Sequence, residues 1–121
     1  MENFVMTYNL FIDDERVPMD VKWGPWEDQA LYRDGDWTIA RNWLDVLELV
    51  VTFGFPQMIS FDHDLGDGEK TGYEIARKLC DMIMDGLQLP DDFEFKVHSK
   101  NPVGAENIRV YMNNFLKHYG E

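Results

Sequence analysis

The residue types best suited to metal or phosphate chemistry stand at Asp62-His63-Asp64, directly behind Ile59-Ser60-Phe61 and directly before Leu65-Gly66-Asp67-Gly68. An apolar run that ends in acid, imidazole and acid, then in glycines, reads as a buried strand delivering polar side chains to a loop. Two carboxylates with a histidine between them can hold a divalent cation, move a proton or accept a phosphoryl group. A solvated acidic turn gives the same three letters, so the elements around the triplet decide between a site and a surface.

Size and composition narrow those elements. A chain of 121 residues, 45% of them hydrophobic, is expected to form one domain over residues 1–121, around one core. Its 23 acidic residues outnumber its 11 basic ones, for a formal charge of -12. That balance excludes a general nucleic-acid or anionic-membrane surface and leaves a small anionic, nucleotide-like ligand met by locally gathered basic groups. Cys80 is the one cysteine, which excludes an intrachain disulfide and a thiolate cluster. Its helical-spacing neighbours Ile75, Leu79 and Ile83 make it a core residue. Neither a leader nor a bilayer-spanning segment is legible, so a cytoplasmic location is expected.

Thr7 to Ile12 is rich in strand formers and ends in Asp13 and Asp14. Met19 to Asp36 keeps no periodicity and is expected to be a long loop of the kind that covers a ligand. A short strand at Trp37–Arg41 precedes a helix with Trp43, Leu44, Leu47, Val50 and Val51 inward, stopped by Gly54 and Pro56. Thr71 and Glu74 supply a capping box for the next helix, which turns Ile75, Leu79, Met82 and Ile83 inward and ends near Gly86. Phe93 to His98 alternates apolar with polar, as a strand with one wetter face or at a sheet edge does. Pro102 suits the first position of a last helix that buries Ala105, Ile108, Met112, Phe115, Leu116 and Tyr119.

Strands alternating with helices predict an α/β fold, a three-layer sandwich around a shortened, mainly parallel sheet of about four strands with about three helices. In such sheets ligands sit beyond the carboxyl ends of the strands. Asp13 and Asp14, Arg41 and Asn42, Asp62 to Asp64, and His98 to Asn101 all follow strands directly. One topology therefore gathers all four groups at a common rim, which favours a site over a surface turn.

The same stretches resemble a known family. Phe11-Ile12-Asp13-Asp14 and Phe61-Asp62-His63-Asp64-Leu65 resemble the first and third strands of a two-component receiver domain, with Asp62 at the phosphoacceptor position. The joint occurrence of Asp13-Asp14-Glu15-Arg16, Asp62-His63-Asp64-Leu65-Gly66 and His98-Ser99-Lys100-Asn101-Pro102-Val103-Gly104 resembles the cyclic-phosphate-processing receivers of bacterial and phage proteins. The resemblance implies a receiver-like (flavodoxin-like) fold acting on a cyclic phosphate of a nucleotide or related sugar, in the host cytoplasm for a phage protein. In two respects the chain departs from signalling receivers. Its loop between Asp62 and Gly72 is longer, and no fifth strand is expected to bring a lysine beside the phosphoryl group, so phosphorylation-driven switching is not expected.

Hydrolysing a cyclic phosphodiester needs an activated water, a protonated leaving group and neutralised charge on the non-bridging oxygens. Asp13, Asp14 and Asp62 are the expected ligands of one Mg2+ or Mn2+. His63 and His98 are the expected acid and base, in either assignment, and with Asp62 they make up the expected catalytic set. Ser99 and Lys100 are expected on phosphate oxygens, beside the helix-start amides near Val103 and Gly104. Arg16 and Arg41 are weaker candidates for that duty, with a structural ion pair as the leading alternative for each. Trp23 and Trp26 are either core or a nucleobase-stacking surface. Other readings stay open: a degenerate receiver serving as a protein-interaction module, a phosphoacceptor at Asp62, or a module that binds a cyclic nucleotide without cutting it.

Overall fold

In the computed structural model, which describes residues 7–119, four parallel strands form one sheet. They are β1 (Asn9–Ile12), β2 (Thr38–Ala40), β3 (Met58–Phe61) and β4 (Glu94–Val97), in the order β2-β1-β3-β4. The step from β1 to β2 runs toward one edge and the steps to β3 and β4 run toward the other. Right-handed crossovers then place the connecting helices on opposite faces. Helix α1 (Trp26–Asp34) lies on one face, and α2 (Trp43–Phe53), α3 (Gly72–Met84) and α4 (Pro102–His118) lie on the other.

Alternation along each strand divides the core. Leu10, Ile12, Ile59 and Phe61 pack under Val46 and Val50 of α2, Ile75 and Leu79 of α3, and Ile108 and Met112 of α4. Phe11 points the other way, into a smaller cluster with Val21, Tyr32, Trp23, Trp37 and Ile39. Cys80 is buried, its Sγ 3.8 Å from Met112 Sδ. The capping box at Thr71 and Glu74 forms with both reciprocal bonds, 3.2 Å and 3.0 Å. No helix among the described residues is long and apolar enough to cross a membrane.

The expected α/β class forms, with one helix more than expected. The stretch expected to be a loop carries a short 3-10 helix (Pro18–Asp20) and α1. Helix α1 has no amphipathic stripe to announce it: Tyr32 is its one buried residue, and Trp26, expected in the core or in a stacking surface, is 83% exposed. Tertiary anchors hold it instead, through Tyr32 on β3 and an ion pair of 2.9 Å from Asp28 to Lys96 on β4. The buried stripe of α2 is also rotated, with Val46 and Val50 inward and Leu44 and Val51 in solvent. A helix this apolar offers several stripes, and the Asn42 cap, accepting from the Asp45 amide at 3.0 Å, fixes which one meets the sheet. Tyr119 lies past the end of α4 and is exposed.

Candidate functional site

Asp13, Asp62 and His98 are each the first residue after a strand, on β1, β3 and β4 respectively. The register pairs Ile12 with Phe61 and Phe61 with Val97, so these neighbouring strands end level. The ladder runs one step further, Asp62 N donating to Ile12 O and His98 N to Phe61 O, both at 2.9 Å. The three side chains therefore project side by side. All are buried, and one potential ligand atom from each lies within 4.8 Å of the others.

Each group is held from several directions. Asp13 Oδ1 accepts from the amides of Glu15 at 3.0 Å and Arg16 at 2.8 Å, while Oδ2 meets His98 Nε2 at 3.0 Å and Arg16 Nη1 at 3.4 Å. Asp62 Oδ1 accepts from the His63 amide at 2.8 Å, and its Oδ2 lies 3.8 Å from Arg16 Nη1. Burial pushes the Asp13 carboxyl up, but the bonds from His98, Arg16 and Glu15 outweigh it and hold the group well below the usual carboxylate range. For Asp62, burial and then the neighbouring Asp13 charge win, and its pKa is raised. The His98 ring stacks on Phe11, centroids 4.4 Å apart and planes at 8°, and its carbonyl accepts from Trp23 Nε1 at 2.7 Å. Its Nδ1 meets Ser60 Oγ at 2.7 Å, and Ser60 Oγ meets the Tyr32 hydroxyl at 2.6 Å.

At Asp62 this group meets an open cleft of about 580 Å³. Asp14, Glu15, Asp62 and Asp64 line it, against the cations Arg16 and Lys100, with Ser99, Asn101 and Pro102 completing the wall. Both cations lie over the Trp23 indole, Arg16 at 5.1 Å and Lys100 at 4.3 Å from its centre. Gly66, at φ +104°, turns the chain at the rim, where a side chain would be strained.

Not every residue singled out in the sequence reaches the centre. Asp14 is half-buried on the wall, outside the buried group of three. His63 points under the first turn of α4: its Nδ1 is 3.0 Å from Asp64 Oδ1, and a Cβ on Gly104 would overlap its ring. Arg41 Nη1 donates to the carbonyls of Asp13 at 3.1 Å and Arg16 at 2.7 Å, tying down the β1 exit rather than lining the cleft. The Gly104 amide, expected to face a phosphate, donates to the capping Asn101 Oδ1 at 3.0 Å. Trp23 touches the cations from behind and is not part of the cleft wall.

Sequence reading assigned no role to Ser60, Tyr32 or Asn101. Ser60 carried a signal, a hydroxyl inside the fully buried run Met58–Phe61. Tyr32 carried none, because α1 was not legible. Asn101 Nδ2 bonds Asp64 Oδ2 at 3.2 Å, linking the β3 and β4 exits.

The donor chemistry suits a divalent cation. Two carboxylates, one firmly anionic, and an imidazole are hard and borderline ligands, and the imidazole favours Mn2+ over Mg2+. The Arg16 guanidinium is the positive charge standing nearest both carboxylates.

Comparison with known proteins agrees with this architecture. A solved structure described as a yeast Spc42 trimeric coiled coil fused to another structure matches at a TM-score of 0.53 and 18% identity, over 96% of this chain and 80% of that one, a likeness of fold. No curated protein sequence matches the chain. The profile of the cyclic-phosphate processing receiver domain matches residues 8–114, from the start of β1 into the last turns of α4. With its three strand exits converging on one buried acid and imidazole cluster, the chain belongs to the cyclic-phosphate processing receiver domain family.

Proposed function

We propose that the protein is a metal-assisted phosphoesterase that opens a cyclic phosphate of a nucleotide or nucleotide-derived molecule. The observation that carries this reading is the meeting of Asp13, Asp62 and His98 within 4.8 Å, beside an open cleft that Asp62 lines. The cleft wall holds four acidic side chains against two basic ones, so a phosphate entering it needs further positive charge. Asp13, Asp62 and His98 are the residues that would hold a Mn2+ or Mg2+ ion. Such an ion supplies Lewis-acid polarisation of the phosphate and a more acidic water.

The chain's own groups do the rest. Lys100, Ser99 and Arg16, which line the cleft, receive the non-bridging oxygens. A phosphate drawing Arg16 away from Asp13 and Asp62 exchanges one ion pair for another and leaves those carboxylates free to act as ligands. His63, behind Asp64 and Asn101, is the group proposed to exchange a proton with the leaving alkoxide. In this reading His98 is a ligand, and Arg41 supports the loop that carries Asp13.

A panel of cyclic mono- and dinucleotides and cyclic-phosphate sugars, incubated with Mn2+, Mg2+ or chelator, tests the proposal. Ring opening is expected with the metals and not with chelator. Asp62→Asn and His98→Ala are expected to slow it by about two to four orders of magnitude. Full turnover in chelator, or in both variants, would remove the assignment. Tight binding of a cyclic nucleotide that stays intact would instead identify a binding module.

A further inference from the structure

We infer that Ser60 and Tyr32 are positioning residues for this site: with Asp13, their hydroxyls hold His98 as the tautomer protonated on Nε2. Four buried groups stand in a row, Tyr32 Oη to Ser60 Oγ at 2.6 Å, Ser60 Oγ to His98 Nδ1 at 2.7 Å, and His98 Nε2 to Asp13 Oδ2 at 3.0 Å. Their exposures are 4%, 0%, 2% and 0% in that order, so these groups satisfy one another rather than solvent.

Proton counting then fixes a direction. A carboxylate only accepts, a neutral imidazole donates from one nitrogen and accepts at the other, and each hydroxyl donates once. Three bonds need three protons, and Tyr32, Ser60 and His98 bring one each. The arrangement that gives every bond its own proton runs from Tyr32 to Ser60, from Ser60 to His98 Nδ1, and from His98 Nε2 to Asp13. In the opposite direction the Nε2 lone pair would face the carboxylate lone pairs. The Tyr32 proton would also lose Ser60, the one partner of that hydroxyl among the described residues. The Phe11 stack holds the ring against a flip that would exchange its nitrogens.

The row also serves the metal reading, on which this second step rests. To act as a ligand, Nε2 must present its lone pair, so the proton has to stand on Nδ1 with Ser60 Oγ accepting it. One proton leaves Nε2 and one arrives at Nδ1, both by exchange with solvent, while Ser60 Oγ accepts at its two lone pairs from Nδ1 and from the Tyr32 hydroxyl. A hydroxyl at position 60 is compatible with both states, and an apolar side chain with neither.

Nitrogen-15 NMR of the histidine-labelled full chain reads the tautomer without any activity. Free of divalent cation, wild type is expected to show His98 protonated on Nε2, with Nδ1 accepting a hydrogen bond. Ser60→Thr should keep that signal, Tyr32→Phe should weaken it, and Ser60→Ala should move Nδ1 toward an unbonded nitrogen. Calorimetry with Mn2+ is expected to show binding weakened by about 10- to 100-fold in Ser60→Ala and restored in Ser60→Thr. If Ser60→Ala does not fold, the Thr and Phe variants carry the comparison. A cation-free His98 protonated on Nδ1, or on both nitrogens, would overturn the inference, as would an unchanged Nδ1 signal in Ser60→Ala. Absence of Mn2+ binding by wild type would defeat the metal reading alone and leave the tautomer result to judge the positioning role.

Discussion

At the scale of single residues, the site rests on two buried carboxylates pushed in opposite directions. Asp13, lowered, favours the fold above the ordinary carboxylate range, and that contribution is lost as pH falls through its lowered value. Asp62, raised, favours the fold below the ordinary range, and that contribution is lost as pH rises through its raised value. Above its raised value the ionised Asp62 beside Asp13 therefore works against folding. Asp62→Asn keeps an acceptor for the His63 amide and removes the charge. Without cation it is expected to melt a few degrees higher than wild type at pH 7, with the gain vanishing once the pH is low enough to protonate Asp62. Thermal unfolding from pH 3 to 8 in chelator measures this. A variant less stable than wild type at pH 7 would show that the Asp62 charge is compensated within the protein, by Arg16 first of all.

At the scale of elements, two helices start hard against the loop that follows β3. The first residue of α3, Gly72, donates to His63 O at 2.8 Å, and a Cβ there would overlap the Asp62 carbonyl. At Gly104 in the first turn of α4 the obstacle is the His63 ring, a side chain rather than backbone. Gly72→Ala is therefore expected to cost about 1 to 3 kcal/mol or more in denaturant melts, and Gly104→Ala less, because backbone yields less readily than a side chain. Gly104→Ala should also displace His63 and so slow turnover with little loss of Mn2+ binding. Thr71→Ala removes a cap and is expected to cost about 1 kcal/mol. Equal losses for the two glycine variants would contradict the difference in their surroundings.

At the scale of the whole molecule, a formal charge of -12 and a cleft richer in acids than bases make divalent cations the expected stabilisers. Binding only to the folded state at a hundred times the dissociation constant adds about 2.7 kcal/mol. Mn2+ is expected to raise the melting temperature of wild type by several degrees, reversibly with chelator. The rise should survive moderate NaCl, which screens diffuse surface charge more than a buried site. It should be absent from Asp62→Asn. A rise of equal size in that variant would place the bound cation elsewhere on the acidic surface.

Much of this was written in local sequence. Strand formers followed at once by Asp13, Asp62 and His98, with a cap at Thr71 and a helix-opening Pro102, set the α/β order and the shared rim, because strand periodicity and helix starts are short-range physics. The extra helix was not legible, since α1 is held by Tyr32 and Asp28 reaching β3 and β4, and such long-range anchors leave no periodic trace. Nor did sequence order distinguish Asp14 from His98 as a member of the buried group of three, or show His63 turned beneath α4. Those outcomes depend on the register of β1, β3 and β4 and on the packing of α4. Sequence determined which groups leave the strands; only the assembled sheet decided which of them lie within reach of one another.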